Sequence, residues 1–260
     1  MTDHAREFTT DDGVRLAYAM AGEGDPALVF LHGWCCNRSA FAPQAEFFSR
    51  RHRTLSLDLR GHGESAKPPV TPGAYGIDTL ADDALAAARD AALSRPVIVG
   101  HSLGGLVALA CAARKGVRAA VLVNPPLLFD PAVRAWARRS VVAIVEDENG
   151  AWRKAFAERL MLPTDRAFRP DLEASVAATP APIAAAVWEA MAGCDPEGAL
   201  ARARTPLLVV HSGGDELRHF TPLAVRADFS LGVTVGAGHF NHLEVPDQVN
   251  AMINRFVEML

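Results

Sequence analysis

Hydrophobic positions in this chain fall into two kinds of segment: short, nearly unbroken runs, and longer stretches in which they recur every three or four residues. The runs are Ala27–Leu31, Arg53–Leu57, Val97–Val99, Ala119–Val123 and Pro206–Val210. Their length and β-branched content suit strands covered on both faces. Ahead of them, Glu7–Thr10 and Val14–Ala19 flank Asp11-Asp12-Gly13, which predicts an opening hairpin. Helical spacing fills the intervals. One helix starts near Pro43, one runs from Asp78, a residue able to cap it, through Leu93, one follows Ser102, and one follows Thr221. A short strand, Gly232–Val235, precedes a final helix that sets Val249, Met252, Ile253, Phe256, Val257 and Leu260 on one stripe. The alternation breaks once, after Asn124-Pro125-Pro126, where Leu127 to Arg204 shows helical patterning and almost no strand signal.

Repeated strand–loop–helix units predict an α/β fold, a doubly wound, mostly parallel sheet of about eight strands with an inserted helical cap. The expected division is 1–126 for the first part of the core, 127–204 for the cap and 205–260 for the second part. Half of the 260 residues are hydrophobic, enough for one sizeable core. A net charge of −4 with scattered arginines offers no basic stripe, which argues against nucleic acid as a partner. Met1–Glu7 has no apolar leader pattern, and no stretch reaches the roughly 18 apolar residues of a membrane span, so a cytoplasmic location without membrane contact is expected. Cys35, Cys36, Cys111 and Cys194 form no metal-ligand spacing; reduced thiols, no metal and no cofactor are expected.

In a parallel sheet of this kind the loops after the carboxyl ends of the strands converge on one crevice. Reactive side chains fall at those ends: His32-Gly33-Trp34 after the third predicted strand, Asp58–Gly63 after the fourth, Ser102 after the fifth, Asp215 after the seventh and His239 after the eighth. Ser102 stands in Gly100-His101-Ser102-Leu103-Gly104, between a β-branched run and an Ala/Leu-rich helical pattern, the layout of a nucleophile elbow. There Gly100 and Gly104 remove Cβ atoms that would collide as strand and helix close together. A serine hydroxyl is a weak nucleophile unless a base lies within hydrogen-bond reach and a third group orients that base. His239 and Asp215 supply the two. The rivals are His242, read as a partly exposed structural residue, and Glu216 beside Asp215. His32, His62 and Arg60 read as loop braces, Cys35 and Cys36 as small apolar packing groups, and Cys111 as core. In the insertion, Ala184–Met191 presents Trp188 and Met191 among small residues, suited to an apolar acyl or aryl group.

Five stretches, Leu31–Trp34, Asp58–Ser65, Gly100–Gly105, His211–Asp215 and Gly236–Phe240, carry a resemblance to the α/β-hydrolase family over nearly the whole chain. The resemblance implies Ser102 as nucleophile, His239 as general base and then acid, Asp215 as orienting carboxylate, and the backbone N–H groups of Trp34 and Leu103 as oxyanion hole. It also places the insertion where the family carries a cap, with Trp34, Trp188, Met191 and Phe240 as candidate pocket walls. Serine at the elbow, where haloalkane dehalogenases and epoxide hydrolases of this fold carry Asp, argues against both chemistries. A single glycine after His32 argues against bulky tertiary-alcohol esters. The expected activity is hydrolysis of a small-to-medium, largely apolar carboxylic ester or lactone through an acyl-enzyme. Two alternatives stay open: a C–C bond hydrolase of the meta-cleavage-product type, whose members usually have Asn where this chain has His101, and a ligand receptor on the same fold.

Overall fold

The chain opens as its polar break dictates. Strands β1 (His4–Thr9) and β2 (Arg15–Ala21) pair antiparallel, from His4 opposite Met20 to Thr9 opposite Arg15, and Thr10 closes the turn on Val14 through both its backbone and its hydroxyl. The structure is a computed structural model that describes residues 4–127, 130–164, 167–214, 217, 220 and 228–260. Six further strands follow among these residues: β3 (Leu28–Leu31), β4 (Thr54–Leu57), β5 (Val97–His101), β6 (Ala119–Val123), β7 (Leu207–His211) and β8 (Phe229–Val233). All eight form one sheet in the order β1-β2-β4-β3-β5-β6-β7-β8. The β1–β2 and β2–β4 pairs are antiparallel and every other pair is parallel.

The two-residue period of a strand sorts its side chains between two cores. Leu28, Phe30, Val97, Val99, Val121, Val123, Leu208 and Val210 face one side, where helices α1 (Ala42–Phe48) and α9 (Pro246–Glu258) contribute Phe48, Val249, Ile253 and Phe256. Val29, Leu31, Ile98, Leu122 and Val209 face the other, against α2 (Ile77–Asp90) and α3 (Leu103–Ala112). After β3 the chain winds to β4 on one side and then returns to β5 on the other, so the sheet's switch point lies between β3 and β5. A crevice opens at the carboxyl ends of such a strand pair. Trp34 and Ser102 follow those two ends.

The helical insertion between β6 and β7 comprises α4 (Pro131–Val145), α5 (Ala151–Leu160), α6 (Arg169–Ala178), α7 (Ala181–Gly193) and α8 (Pro196–Arg202) among the described residues. Its own core joins Ile144, Leu172, Val176 and Trp188 to Cys35, Cys36 and Phe240 of the sheet loops. Arg153 is buried at its centre; Nε donates to Asp147 Oδ2 at 2.8 Å and the guanidinium also reaches the carbonyls of Val176 and Thr179. No helix among the described residues is long and apolar enough to cross a membrane.

Three local expectations are corrected or lie elsewhere. The eighth strand runs Phe229–Val233 rather than Gly232–Val235, because its ladder with β7 ends where Thr234 N–H meets the His211 carbonyl, leaving Val235 77% exposed. Asp78 does not cap α2: Gly76 holds the cap position, Asp78 lies in the first turn, and the helix ends at Asp90. The helix expected after Thr221 lies outside the described residues.

Candidate active site

Ser102 sits between β5 and α3 with φ 52° and ψ −116°, a left-handed conformation that a side-chain-bearing residue adopts at a cost of about 1–3 kcal/mol. The surroundings enforce it. Ser102 N–H donates to the Val123 carbonyl at 2.9 Å, and Gly105 N–H closes on the Ser102 carbonyl at 2.8 Å. A Cβ on Gly100 would lie 1.9 Å from the Gly104 carbonyl oxygen, and one on Gly104 would lie 2.0 Å from that of Leu31, so strand and helix meet at backbone contact. Ser102 is thereby thrust to the head of α3, whose first N–H, that of Leu103, and whose dipole face the same point.

The β3 loop closes on the serine from the side. A Cβ on Gly33 would be 3.5 Å from Ser102 Cβ and 2.9 Å from His101 Nδ1. His32 holds this loop: its Nδ1–H donates to Gly33 O at 2.8 Å while its Nε2 accepts from Leu59 N–H at 3.0 Å, so the ring is neutral and of one tautomer. Burial agrees, pushing His32 down to about 4 and, with the help of His32 itself, His62 down to about 3. Asp58 anchors the far end of the loop, accepting from Arg38 N–H at 2.6 Å, from the Arg38 guanidinium and from Glu64 N–H at 2.9 Å. Arg60 is an ion-pair anchor, with Nε 2.8 Å from Asp83 and Nη1 2.7 Å from Asp12. Cys35 and Cys36 are buried, and burial pushes the Cys36 thiol up to about 12, so neither offers a thiolate at neutral pH.

His239 follows β8 in a turn held by three side chains. Its carbonyl accepts from His101 Nε2 and from Asn124 Nδ2, each at 2.9 Å. Asn124, at the end of β6 with φ 42°, also donates to Gly238 O at 3.1 Å and accepts from Ser212 N–H at 2.9 Å, binding the loops after β6, β7 and β8 together. The Glu244 carboxylate takes the N–H groups of Gly238 and Phe240. None of these three stands out in the sequence as a site residue: Asn124 opens the Asn124-Pro125-Pro126 break, His101 is the residue before the elbow serine, and Glu244 lies outside the five matching stretches. His242 is corrected from partly exposed to wholly buried, its ring 4.1 Å from that of His101 and 4.9 Å from Phe41. Burial, with His239 nearby, pushes it down to about 3. Asp215 and Glu216 lie outside the described residues.

Ser102 and His239 open together into a cavity of about 450 Å³ between the sheet loops and the insertion. Trp34, Trp188, Met191 and Phe240 all line it, as do Trp136 and Phe156, which the sequence marks only as apolar residues of the insertion. Among the described residues no group of three or more His, Cys, Asp and Glu is placed to hold a metal ion.

The family description "Alpha/beta hydrolase family" matches residues 28–252, from the first parallel strand into the last helix. The chain belongs to the alpha/beta hydrolase family. It is 32% identical over 254 residues to the pimeloyl-[acyl-carrier protein] methyl ester esterase of Xanthomonas campestris pv. campestris (strain B100), covering 90% of this chain and 96% of that protein. It is 37% identical over 106 residues to the AB hydrolase superfamily protein YisY of Bacillus subtilis (strain 168), which is 40% of this chain and 38% of that one; the match spans well under half of this relative's length. Among solved structures, a hydrolase from Pseudomonas aeruginosa PA01 superposes with a TM-score of 0.85 at 24% identity, covering 98% of both chains.

Proposed function

We propose that this alpha/beta hydrolase is a serine hydrolase that cleaves a small-to-medium, uncharged and largely apolar carboxylic ester or lactone. The observation that carries the reading is the strained Ser102 at the head of α3, opening with His239 into one apolar-walled cavity. In this reading Ser102 Oγ attacks the ester carbonyl and passes its proton to His239. The N–H groups of Leu103 and Trp34 receive the oxyanion. Collapse expels the alcohol oxygen, which takes the proton back from His239 and leaves an acyl-enzyme. Water, deprotonated by the same imidazole, then releases the acid. From a lactone the leaving hydroxyl stays on the acyl chain, so one hydroxy acid results. Asp215 is assigned the orienting role from its place after β7, and residues 127–204 that of a cap. The name of the Xanthomonas relative, a methyl ester esterase, supports ester chemistry.

The test is multiple-turnover hydrolysis of p-nitrophenyl esters from acetate to decanoate, with Ser102→Ala alongside. Turnover peaking at one chain length and reduced by on the order of 10⁴ or more in Ser102→Ala is expected. Turnover that survives Ser102→Ala, or none across the series, would remove the serine esterase and return weight to a C–C hydrolase or a receptor. In short assays kcat/KM should rise with pH through the histidine range near about 6.5. A flat profile from pH 5 to 8 would strip His239 of its role as base.

A further inference from the structure

We propose that the cavity is built for an aromatic group, so that the physiological ester carries a benzyl, phenyl or comparable ring and no charge beside it. This deepens the proposed ester hydrolysis and rests on it.

Four observations converge. All four tryptophans of the chain, Trp34, Trp136, Trp152 and Trp188, belong to one cluster joined through Phe156, and three of them line the cavity. Around Trp188 the rings meet edge to face, with Phe156 at 4.9 Å and 88° and Trp136 at 5.9 Å and 76°, while Trp152 stacks on Phe156 at 5.5 Å and 7°. Edge-to-face and offset contacts use the positive rim and negative face of a π system, an attraction that a saturated ring of the same size does not make.

The indoles are also locked. Trp34 Nε1–H donates to the Ala184 carbonyl at 2.9 Å and Trp188 Nε1–H to that of Ala137 at 2.8 Å. With their N–H groups engaged in helix backbone, these two side chains present ring surface rather than hydrogen-bond donors. Finally, no Asp, Glu, Lys or Arg lines the cavity among the described residues, so a carboxylate there would be desolvated without a Lys or Arg partner from among them. A cavity of roughly 150 Å³ accepts a benzene; the 450 Å³ here holds a ring together with an ester group and a short chain.

The test uses matched pairs that differ only in aromaticity: benzyl against cyclohexylmethyl acetate for the alcohol half, and methyl phenylacetate against methyl cyclohexylacetate for the acyl half. Benzyl hydrogen succinate supplies the charged counterpart. Wild-type kcat/KM is read beside the Kd for Ser102→Ala, obtained from intrinsic tryptophan emission, which needs no turnover. In at least one pair the aromatic ester should be preferred about tenfold in both readings, and the succinate should bind at least tenfold more weakly than benzyl acetate. Trp188→Leu should bring the preference below threefold, with Phe156→Leu as a second variant should the first not fold. Equal Kd values within both pairs, tight succinate binding, or a preference that survives both variants would overturn the aromatic cavity. Cyclohexyl esters turned over as fast as aromatic ones in a Ser102-dependent way would sink it while leaving the ester hydrolase standing. Selective aromatic binding by Ser102→Ala with no wild-type turnover would do the reverse.

Discussion

The carbonyl of His239 receives two side-chain donors, and one of them, Asn124, also carries the N–H of Ser212. Asn124→Asp keeps the acceptor toward Ser212 but turns the two donors into an anion against the carbonyls of Gly238 and His239. The loss of two hydrogen bonds and the added repulsion come to about 2–3 kcal/mol. Steady-state assays should therefore show kcat/KM for the best ester reduced roughly thirty- to a hundred-and-fiftyfold, with the far-ultraviolet circular dichroism unchanged. Wild-type kinetics in Asn124→Asp would mean that the amide does not position His239. At this scale the sequence was legible where chemistry constrains the backbone: Gly-x-Ser-x-Gly announces the elbow because only glycine fits contacts of 1.9 and 2.0 Å. It was not legible for His242, whose burial is decided by Phe41 and His101, far away along the chain.

The loop from Gly33 to Arg38 is the seam between sheet and insertion. The core grips it through His32 and Asp58. The insertion grips it through α7, where Trp34 donates to Ala184, and through α6, where Asn37 Nδ2 donates to Ser175 Oγ at 2.7 Å. Ser175→Ala removes the second tie, together with the bond that Ser175 Oγ donates at 2.9 Å to the Asp171 carbonyl of its own helix, and leaves a good helix former. A lost hydrogen bond of about 1 kcal/mol corresponds to about fivefold. Amides of α6 should exchange with solvent about that much faster, with those of β5 and β6 unchanged; equal α6 rates in variant and wild type would show that the tie carries no weight. The parallel strands could be read from sequence because each is covered on both faces and so is apolar throughout. The edge strand β8 could be read only with its bounds displaced: with Leu231 and Val233 about 40% exposed it lacks that signature, and its register is set by β7.

Over the whole molecule, His32, His62, His101 and His242 are buried as neutral rings beneath the site. Burial pushes His32 down to about 4, His62 and His242 down to about 3, and His101 well below the ordinary value. The unfolded chain takes up these protons near pH 6.5 while the folded one does not, so stability is complete above about 6.5 and falls as the pH drops toward 4 and 3. Each ring contributes up to about 1.4 kcal/mol per pH unit in that window, which for the group is large against a total of about 5–15 kcal/mol. The urea midpoint should fall clearly between pH 7 and 5.5, before most carboxylates titrate; a constant midpoint over that interval would contradict the neutral assignment. The fold class was legible because repeated strand and helix periods agree along the chain, whereas the cavity walls come from four insertion helices whose mutual packing no local pattern encodes.

The tryptophan cluster has a consequence for how the molecule can be seen to melt. The sheet contains no indole, so emission reports the seam between insertion and loops, while circular dichroism reports every helix and strand. Superimposed transitions from the two probes would describe one cooperative unit. An earlier emission change would describe an insertion that comes loose while the sheet beneath it is still folded, and the interval between the two midpoints would measure how independently the two parts hold together.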